Sequence, residues 1–339
     1  MGVKILTRRS VSRGMGGVLA APVISRFARA AEITWRFGHV APHDTPLHQR
    51  LLEAAGAIAK RSDGKMELKV IGEAQAGIES GLLAQVREGG LEMTMASGTR
   101  LASSLALAAI PSIGFLFDDH AKLWPAMDGE LGQSIRTGIA TQVGVETLDK
   151  IWDFGFRHVT TGDRAIRNAS DLTGLKIRTQ ADGESVDLLR SLNARPVVVT
   201  LPYLRAALEH RQLDGQEGVL PLVGYARLQG VQSYCAMTHH GWDGLWVCVN
   251  AAAWKKLPER LRGIAANAIN GAASRQREDT LKQETAFRET LARSGMRFTD
   301  VDKGSFRDVL RRQGYYSRAR TKFGEAAWNV LQKASGVLA

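Results

Sequence analysis

Hydrophobic and polar positions beyond residue 32 follow two alternating periods, and each change of period marks a strand or a helix. The segment ITWRFGHVAP alternates with a period of two and predicts a strand that ends at Pro42. Residues 46–61 carry apolar positions at helical spacing and predict a helix. The strand MELKVIG, the helix ESGLLAQVREGG and the strand LEMTMAS continue this order. Such alternation predicts an α/β layer with a largely parallel sheet.

The same rhythm returns in the second half of the chain. Residues 119–142 are predicted as helical, VETLDKIWDFGFRHVT as strands, and DLTGLKIRT to LPYLRAALEHRQ as a second α/β unit. The strand GLWVCVN precedes a long helical stretch that is expected to cross both units. We therefore predict a two-lobed periplasmic-binding-protein fold with a cleft between the lobes, where ligand sites tend to lie. Lobe I is assigned residues 32–154 and 244–284, and lobe II residues 155–243 and 285–339.

Residues 1–31 have the pattern of an export signal. A basic start precedes a short apolar stretch at 14–24 and the small-residue end Ala28-Arg29-Ala30-Ala31. Arg8 and Arg9 resemble a twin-arginine signal, with an ordinary secretory leader as the alternative. The apolar stretch is too short to span a bilayer, so we expect a soluble periplasmic protein that starts near Ala31.

The formal net charge of +11 first suggests a nucleic-acid partner. Residues 1–31 hold six of the basic residues and no acidic one, which leaves 39 basic against 34 acidic residues in the rest of the chain. That excess is spread over predicted helices and has no interleaved aromatic stripe, which is typical of a solvated surface. We predict a monomer without a nucleic-acid partner.

Several kinds of site lack their sequence signatures. There is no GxGxxG, Walker, HExxH or GxSxG motif, so the sequence predicts no cofactor and no enzymatic activity. His39, His43 and His48 are close in sequence, but intervening prolines break any common helical face, and no metal site is predicted. Cys235 and Cys248 lack zinc-ligand spacing; buried free thiols are favoured and a disulfide stays open.

Two arginines are candidates for anion binding. Arg178 ends the predicted strand GLKIR, and Arg157 lies in DFGFRHVT. An arginine at the carboxyl end of a strand beside a cleft can bind a carboxylate through two parallel hydrogen bonds. A surface arginine is the alternative for either residue.

An ordered set of short strings connects these arginines to a known family. FGHVAP, QAGIE, LEMT, GFLFDD, GFRHVT, DLTGLKIRT, LPYLRAALEHRQLDGQE and WKKLP together resemble the substrate-binding subunit of TRAP (tripartite ATP-independent periplasmic) transporters along essentially the whole mature chain. The resemblance implies a cleft that closes on an organic acid anion. It also implies that Arg178 forms the two-pronged salt bridge to a ligand carboxylate and that Arg157 adds a second cationic contact. The partner would be a membrane permease driven by an ion gradient.

One position departs from the family pattern. The family usually reads DGQEN with a ligand-binding asparagine, whereas this chain has Gly218 after Glu217. The missing side chain would leave room for a larger ligand, for water or for a neighbour such as Trp242, so a C4-dicarboxylate is not assumed. The remaining ligand-binding candidates lie in segments expected to face the cleft or to cover an apolar part of the ligand: Gln75, Glu79, Asp44, Trp242 and Glu217.

The sequence thus predicts an extracytoplasmic solute-binding protein for a TRAP permease. An exported sensor that presents its ligand to a membrane receptor would have the same fold and pocket, so it remains an alternative. An exported enzyme acting on an organic acid is a further alternative, and it would need a nucleophile or an acid–base group beside Arg178.

Overall fold

A mixed β-sheet runs through the computed structural model, which describes residues 31–335. In this part of the chain it has eleven strands: β1 (Ile33–Gly38), β2 (Met66–Ile71), β3 (Met93–Ser97), β4 (Val145–Thr147), β5 (Trp152–Thr161), β6 (Lys176–Thr179), β7 (Arg195–Val198), β8 (Gly215–Val219), β9 (Tyr234–Ala236), β10 (Trp242–Asn250) and β11 (Arg297–Thr299). Almost all of the predicted leader lies outside the described residues, so the export signal stays a prediction.

Helices cover the sheet. They are α1 (Pro46–Arg61), α2 (Glu79–Glu88), α3 (Gly98–Leu101), α4 (His120–Asp128), α5 (Glu130–Gly138), α6 (Gly183–Ser191), α7 (Leu201–Glu209), α8 (Leu220–Tyr225), α9 (Ala251–Lys256), α10 (Glu259–Arg293), α11 (Lys303–Arg312), α12 (Tyr315–Phe323) and α13 (Glu325–Ser335). Two short 3-10 helices (Ala106–Ser112 and Ala169–Leu172) and a π-helical turn (Ile139–Val143) complete the helical segments of the described chain.

The sheet consists of two parallel units joined by antiparallel strands. Its order is β2-β1-β3-β10-β5-β8-β6-β7, with β4 beside β10 and the pair β9–β11 beside β5. In the N-terminal unit β1 is parallel to β2 and β3, and in the C-terminal unit β6 is parallel to β7 and β8. The long strands β5 and β10 pair antiparallel between the units. The predicted α/β fold is confirmed, whereas the residue boundaries of the lobes stay a prediction.

Helix α1 shows how local sequence positions one wall of the molecule. Thr45 caps the helix by accepting a hydrogen bond from the backbone N–H of His48 at 3.4 Å, and Pro46 occupies the first turn, where its missing N–H is not needed. Leu51, Ala54 and Ile58 follow at helical spacing and are fully buried. Their burial fixes the rotation of α1 and hence the position of the loop that precedes it.

The long helix predicted from the sequence is α10, with 35 residues and a length of about 52 Å at 1.5 Å per residue. In its first half Ile269 and Ala272 lie in the hydrophobic core that covers the N-terminal unit. Near its end Leu291 lies in a second core beside α7 and α8. Between these cores Gln276 forms hydrogen bonds to the backbone N–H and C=O of Asp153 at 2.9 and 2.7 Å. The helix is therefore pinned to β5 at the junction of the two units.

Two further predictions concern the cysteines and the membrane. Cys235 and Cys248 are both buried free thiols, and burial raises the pKa of each to about 12. The described residues contain no helix that is both long enough and apolar enough to cross a bilayer.

Candidate functional site

A cavity of about 490 Å³ opens between the two parallel units. Its wall draws on the ends of β1, β3, β6 and β8, on the first part of β5, on the starts of α1, α2, α7 and α8, and on one face of α10. The size falls within the range of roughly 300–1,000 Å³ that is usual for small-molecule sites. A second cavity, beside Trp242 and Trp246, measures only about 10 Å³, which is room for about one water molecule.

Arg178 reaches this cavity from β6, the middle strand of the C-terminal unit. The residue is only 6% exposed, and its Nε donates a hydrogen bond to the carbonyl oxygen of Val199 at 2.8 Å. The two terminal guanidinium nitrogens have no hydrogen-bond partner among the described residues. Burial lowers the pKa of Arg178, and the charge of Glu217 opposes that shift. An arginine stays cationic at neutral pH, so a buried positive charge faces the cavity with its hydrogen-bonding fork open.

Arg157 also lines the cavity, but its fork already holds a carboxylate. Its Nε and one terminal nitrogen donate to the two carboxylate oxygens of Glu217 at 2.7 and 2.6 Å. Glu217 is fully buried, and it also accepts a hydrogen bond from the Thr179 hydroxyl at 2.5 Å and lies 3.3 Å from His240 Nε2. Burial alone would raise the pKa of Glu217, but the charge of Arg157 and the hydrogen bonds from His240 and Arg157 hold it well below its usual range. This part of the wall is therefore a closed ion pair.

The N-terminal unit contributes Glu79 and His39 to the opposite wall. Glu79 begins α2, and one of its carboxylate oxygens accepts hydrogen bonds from the backbone N–H and the hydroxyl of Ser97 at 2.8 and 2.9 Å. His39 follows β1 and is buried, with its Nε2 2.9 Å from Nδ1 of His48. Burial lowers the pKa of His39 to about 4, with added repulsion from His48 and His43, so the ring is neutral at pH 7. Its Nδ1 has no partner among the described residues.

The sequence-predicted site residues fall into two groups. Arg178, Arg157, Glu79 and Gly218 line the large cavity. The other four lie outside its lining: Glu217 behind Arg157, Trp242 beside the small cavity, and Gln75 and Asp44 on the exposed surface. Trp242 donates its indole N–H to Asp153 Oδ1 at 2.8 Å. Asp44 directly precedes Thr45, which does line the cavity.

The space beside Gly218 is filled by Leu222. A Cβ atom at Gly218 would lie 2.7 Å from Leu222 Cδ2 and 3.2 Å from Gln216 Oε1. Any side chain at this position would therefore displace Leu222. The neighbour that occupies the vacant position is an aliphatic residue of α8 rather than Trp242, which lies at the small cavity.

Sequence reasoning missed several lining residues. His39 was considered only as one of three clustered histidines, although FGHVAP places it directly after the first strand. Apolar residues around the arginines were also missed, among them Phe154, Leu201, Leu222 and Tyr225. The sequence gives little indication of their role, because an apolar residue in a strand or a helix follows the same pattern whether it faces a core or a cavity.

One cluster of the described residues could hold a metal ion, and it lies outside the lining of the large cavity. A ring nitrogen of His158, a ring nitrogen of His239 and a carboxylate oxygen of Glu284 lie within 4.8 Å of one another. His158 Nε2 is 3.3 Å from Glu284 Oε1, so this pair is already joined by a hydrogen bond. Burial lowers the pKa of His239 to about 3.

Comparisons with known proteins agree with this architecture. Residues 37–317 match the family described as bacterial extracellular solute-binding protein, family 7. The chain is 25% identical over 279 residues to the 2,3-diketo-L-gulonate-binding periplasmic protein YiaO of Escherichia coli (strain K12), which covers 82% of this chain and 84% of that protein.

Solved structures of TRAP periplasmic solute binding proteins share the fold. One from Ochrobactrum anthropi, with its C-terminus bound in the ligand binding pocket, has a TM-score of 0.85 at 23% identity and covers 91% of this chain and 95% of its own. Another, from Sulfurospirillum deleyianum with bound succinate, has a TM-score of 0.78 at 22% identity and covers 91% and 99%.

Proposed function

The chain belongs to family 7 of the bacterial extracellular solute-binding proteins, and we propose that it binds an organic acid anion in the 490 Å³ cavity with Arg178 as the carboxylate anchor. The observation that carries this proposal is the open guanidinium fork of Arg178, which is buried at the cavity wall. Buried terminal guanidinium nitrogens without hydrogen-bond partners are costly, and a bound carboxylate would satisfy them with two charge-assisted hydrogen bonds.

Arg157 and Glu217 support the anchor indirectly. Glu217 holds Arg157 by two hydrogen bonds and receives a third from Thr179, the residue that follows Arg178 on β6. The ion pair is thus joined by a hydrogen bond to the last residue of β6, next to Arg178. In this proposal Glu217 is a positioning residue, and Arg178 makes the direct contact with the ligand.

The loaded protein would deliver its ligand outside the cytoplasm to a TRAP permease. Support comes from the family and from relatives named as periplasmic binding proteins and as TRAP solute binding proteins. Binding without turnover is the activity of such a protein, since the permease uses the captured ligand unchanged. The protein would act in the periplasm after export.

A binding screen tests the anchor. The purified protein is titrated calorimetrically with a broad panel of organic acids, and thermal unfolding is followed in parallel. A ligand at 100 times its dissociation constant adds about 2.7 kcal/mol of stability. We expect saturable binding of at least one acid by the wild-type protein, and loss of that binding in Arg178→Ala. Equal binding by both proteins would show that the carboxylate is held elsewhere.

An uptake experiment tests delivery. Cells that lack this chain should fail to accumulate the acid identified by the screen, and re-expression should restore uptake. Collapse of the membrane ion gradients should stop uptake while cellular ATP is held constant. Normal uptake without the chain would contradict a role in transport and would favour a sensor.

A further inference from the structure

We infer that the cavity selects a singly charged carboxylate with an apolar body over dicarboxylates and polyhydroxylated acids. This inference rests on the proposed function, since it names the class of acid that the same cavity binds. It is carried by three features of the wall: its charge, its apolar surface around Arg178, and the contact between Gly218 and Leu222.

Of the cationic side chains in the cavity wall, one has terminal nitrogens that are available to a ligand. Among the described residues that line the cavity, Arg157 and Arg178 are the only arginines or lysines. The Arg157 fork is occupied by Glu217. Glu79 adds one carboxylate to the lining, whereas the buried Asp153 carboxylate lies 2.9 Å from His120 Nε2. A second carboxylate on the ligand would therefore lose its water without gaining a free cationic partner, and it would approach Glu79.

Aliphatic and aromatic side chains line the same cavity as the open arginine. Leu201, Val219, Leu222 and Tyr225 line the C-terminal wall, and Phe154 extends it along β5. Leu201, Phe154 and Tyr225 are 40%, 45% and 46% exposed, although each belongs to a cavity. Large apolar side chains that remain exposed at a concave surface indicate a partner that covers them. An apolar ligand body next to the carboxylate meets this requirement.

The Gly218–Leu222 contact removes a polar group from the same wall. Leu222 Cδ2 would lie 2.7 Å from a Cβ at Gly218, so methyl groups fill the place next to β8 where a side-chain amide would need to stand. A hydroxyl group of a sugar acid placed there would be desolvated against the Leu222 methyl groups, with Gln216 Oε1, 3.2 Å from the Cβ position, as a nearby acceptor. The same surface favours a methylene or an aromatic ring.

Two matched pairs of ligands test the inference by calorimetric titration of the whole protein. Butanoate and succinate share a four-carbon chain and differ by one carboxylate, whereas hexanoate and D-gluconate share a six-carbon chain and differ by five hydroxyl groups. We expect butanoate and hexanoate each to bind at least tenfold more tightly than its partner. A tenfold ratio corresponds to about 1.4 kcal/mol.

A double variant tests the role of the Gly218–Leu222 contact. Gly218→Asn with Leu222→Ala replaces the aliphatic contact by an amide and should reduce the hexanoate-to-gluconate ratio by about tenfold. Leu281→Ala removes an exposed leucine of α10 and should leave the ratio unchanged. Thermal unfolding of each variant without ligand verifies that it is folded. An unchanged ratio in the folded double variant would show that this contact does not determine specificity.

The outcomes separate this inference from the proposed function. Tighter binding of succinate and D-gluconate, lost in Arg178→Ala, would overturn the inference while the proposed carboxylate anchor stands. Failure of all four probes to bind would also overturn the inference. If the broad panel then yielded no ligand either, the proposed function would fail with it.

Discussion

Arg157 on β5 and Arg178 on β6 line the same cavity, but they differ in whether a carboxylate of the protein is hydrogen-bonded to the guanidinium group. Both are 6% exposed. Arg157 is held by a fully buried glutamate through two short hydrogen bonds, whereas the terminal nitrogens of Arg178 have no partner in the described part of the chain. The difference shows that residue type and burial do not identify an anion site. The decisive feature is whether the chain supplies its own anion.

Glu217→Gln should give the largest effect, because it removes the buried carboxylate that accepts two hydrogen bonds from Arg157. Breaking a buried pair in this way costs about 3–5 kcal/mol of stability. The measurement is the free energy of unfolding in urea, with Glu289→Gln, an exposed glutamate of α10, as the control. A change below about 1 kcal/mol for Glu217→Gln would mean that water or a neighbouring group compensates Arg157.

The Arg157–Glu217 pair also predicts that the wild-type protein loses folding stability at acidic pH. The folded-state pKa of Glu217 lies below its ordinary value of 4.5, so its contribution is fully present above that pH and is lost as pH falls through the folded pKa. Glu217→Gln should therefore show a shallower decline of stability below pH 4.5 than the wild type. Parallel curves for the two proteins would contradict the assignment.

Arg178→Ala should weaken ligand binding by roughly 30-fold to several thousand-fold, or about 2–5 kcal/mol, because the ligand carboxylate loses its buried partner. Arg178→Lys keeps the charge but lacks the planar fork, and it should also bind poorly. Arg195→Ala is the control, since this arginine is exposed at the start of the neighbouring strand β7. Titration with the acid found in the screen measures all three. Binding by Arg178→Ala within a few-fold of the wild type would exclude Arg178 as the anchor.

His39 should contribute a smaller effect than the two arginines, and this effect is a change of folding stability with pH. Its folded-state pKa of about 4 lies below the ordinary value of 6.5, so the unfolded state binds more protons between these values. Stability should therefore fall by about 2–3 kcal/mol as pH decreases from 6.5 to 4, and the loss should be smaller in His39→Gln. Unfolding curves across this pH range measure the effect, with the exposed His210→Gln as the control. A loss as large in His39→Gln as in the wild type would assign it to other groups.

Asp44→Asn and Gln75→Ala should give the smallest effects. Both residues are exposed and lie outside the lining of the cavity, so each change should alter affinity by less than about 0.5 kcal/mol. Titration with the same acid tests this expectation. A tenfold loss of affinity in either variant would indicate that the loaded protein closes further and brings that residue to the ligand.

The sequence predicted the order of strands and helices and the place of Arg178 on its strand. Both depend only on residues that are close together in the sequence. Thr45 and Pro46 begin α1 through capping, and GLKIR places Arg178 one residue before the end of β6, where it lines the cavity. The family strings added the expectation of a carboxylate ligand. Each of these inferences needs only neighbouring residues and the general rule for the carboxyl ends of parallel strands.

Tertiary structure alone decided the partners of these residues. Glu217 neutralises Arg157 across 60 positions of sequence, and Leu222 closes the space beside Gly218 through the start of α8. His39 becomes neutral because distant segments bury it beside His48 and His43. Charge compensation, packing and desolvation all depend on which atoms meet in space, and residue spacing along the chain does not specify them. The sequence therefore indicated a candidate carboxylate anchor, and the folded packing determined which arginine of the cavity is paired and which side chains line the wall.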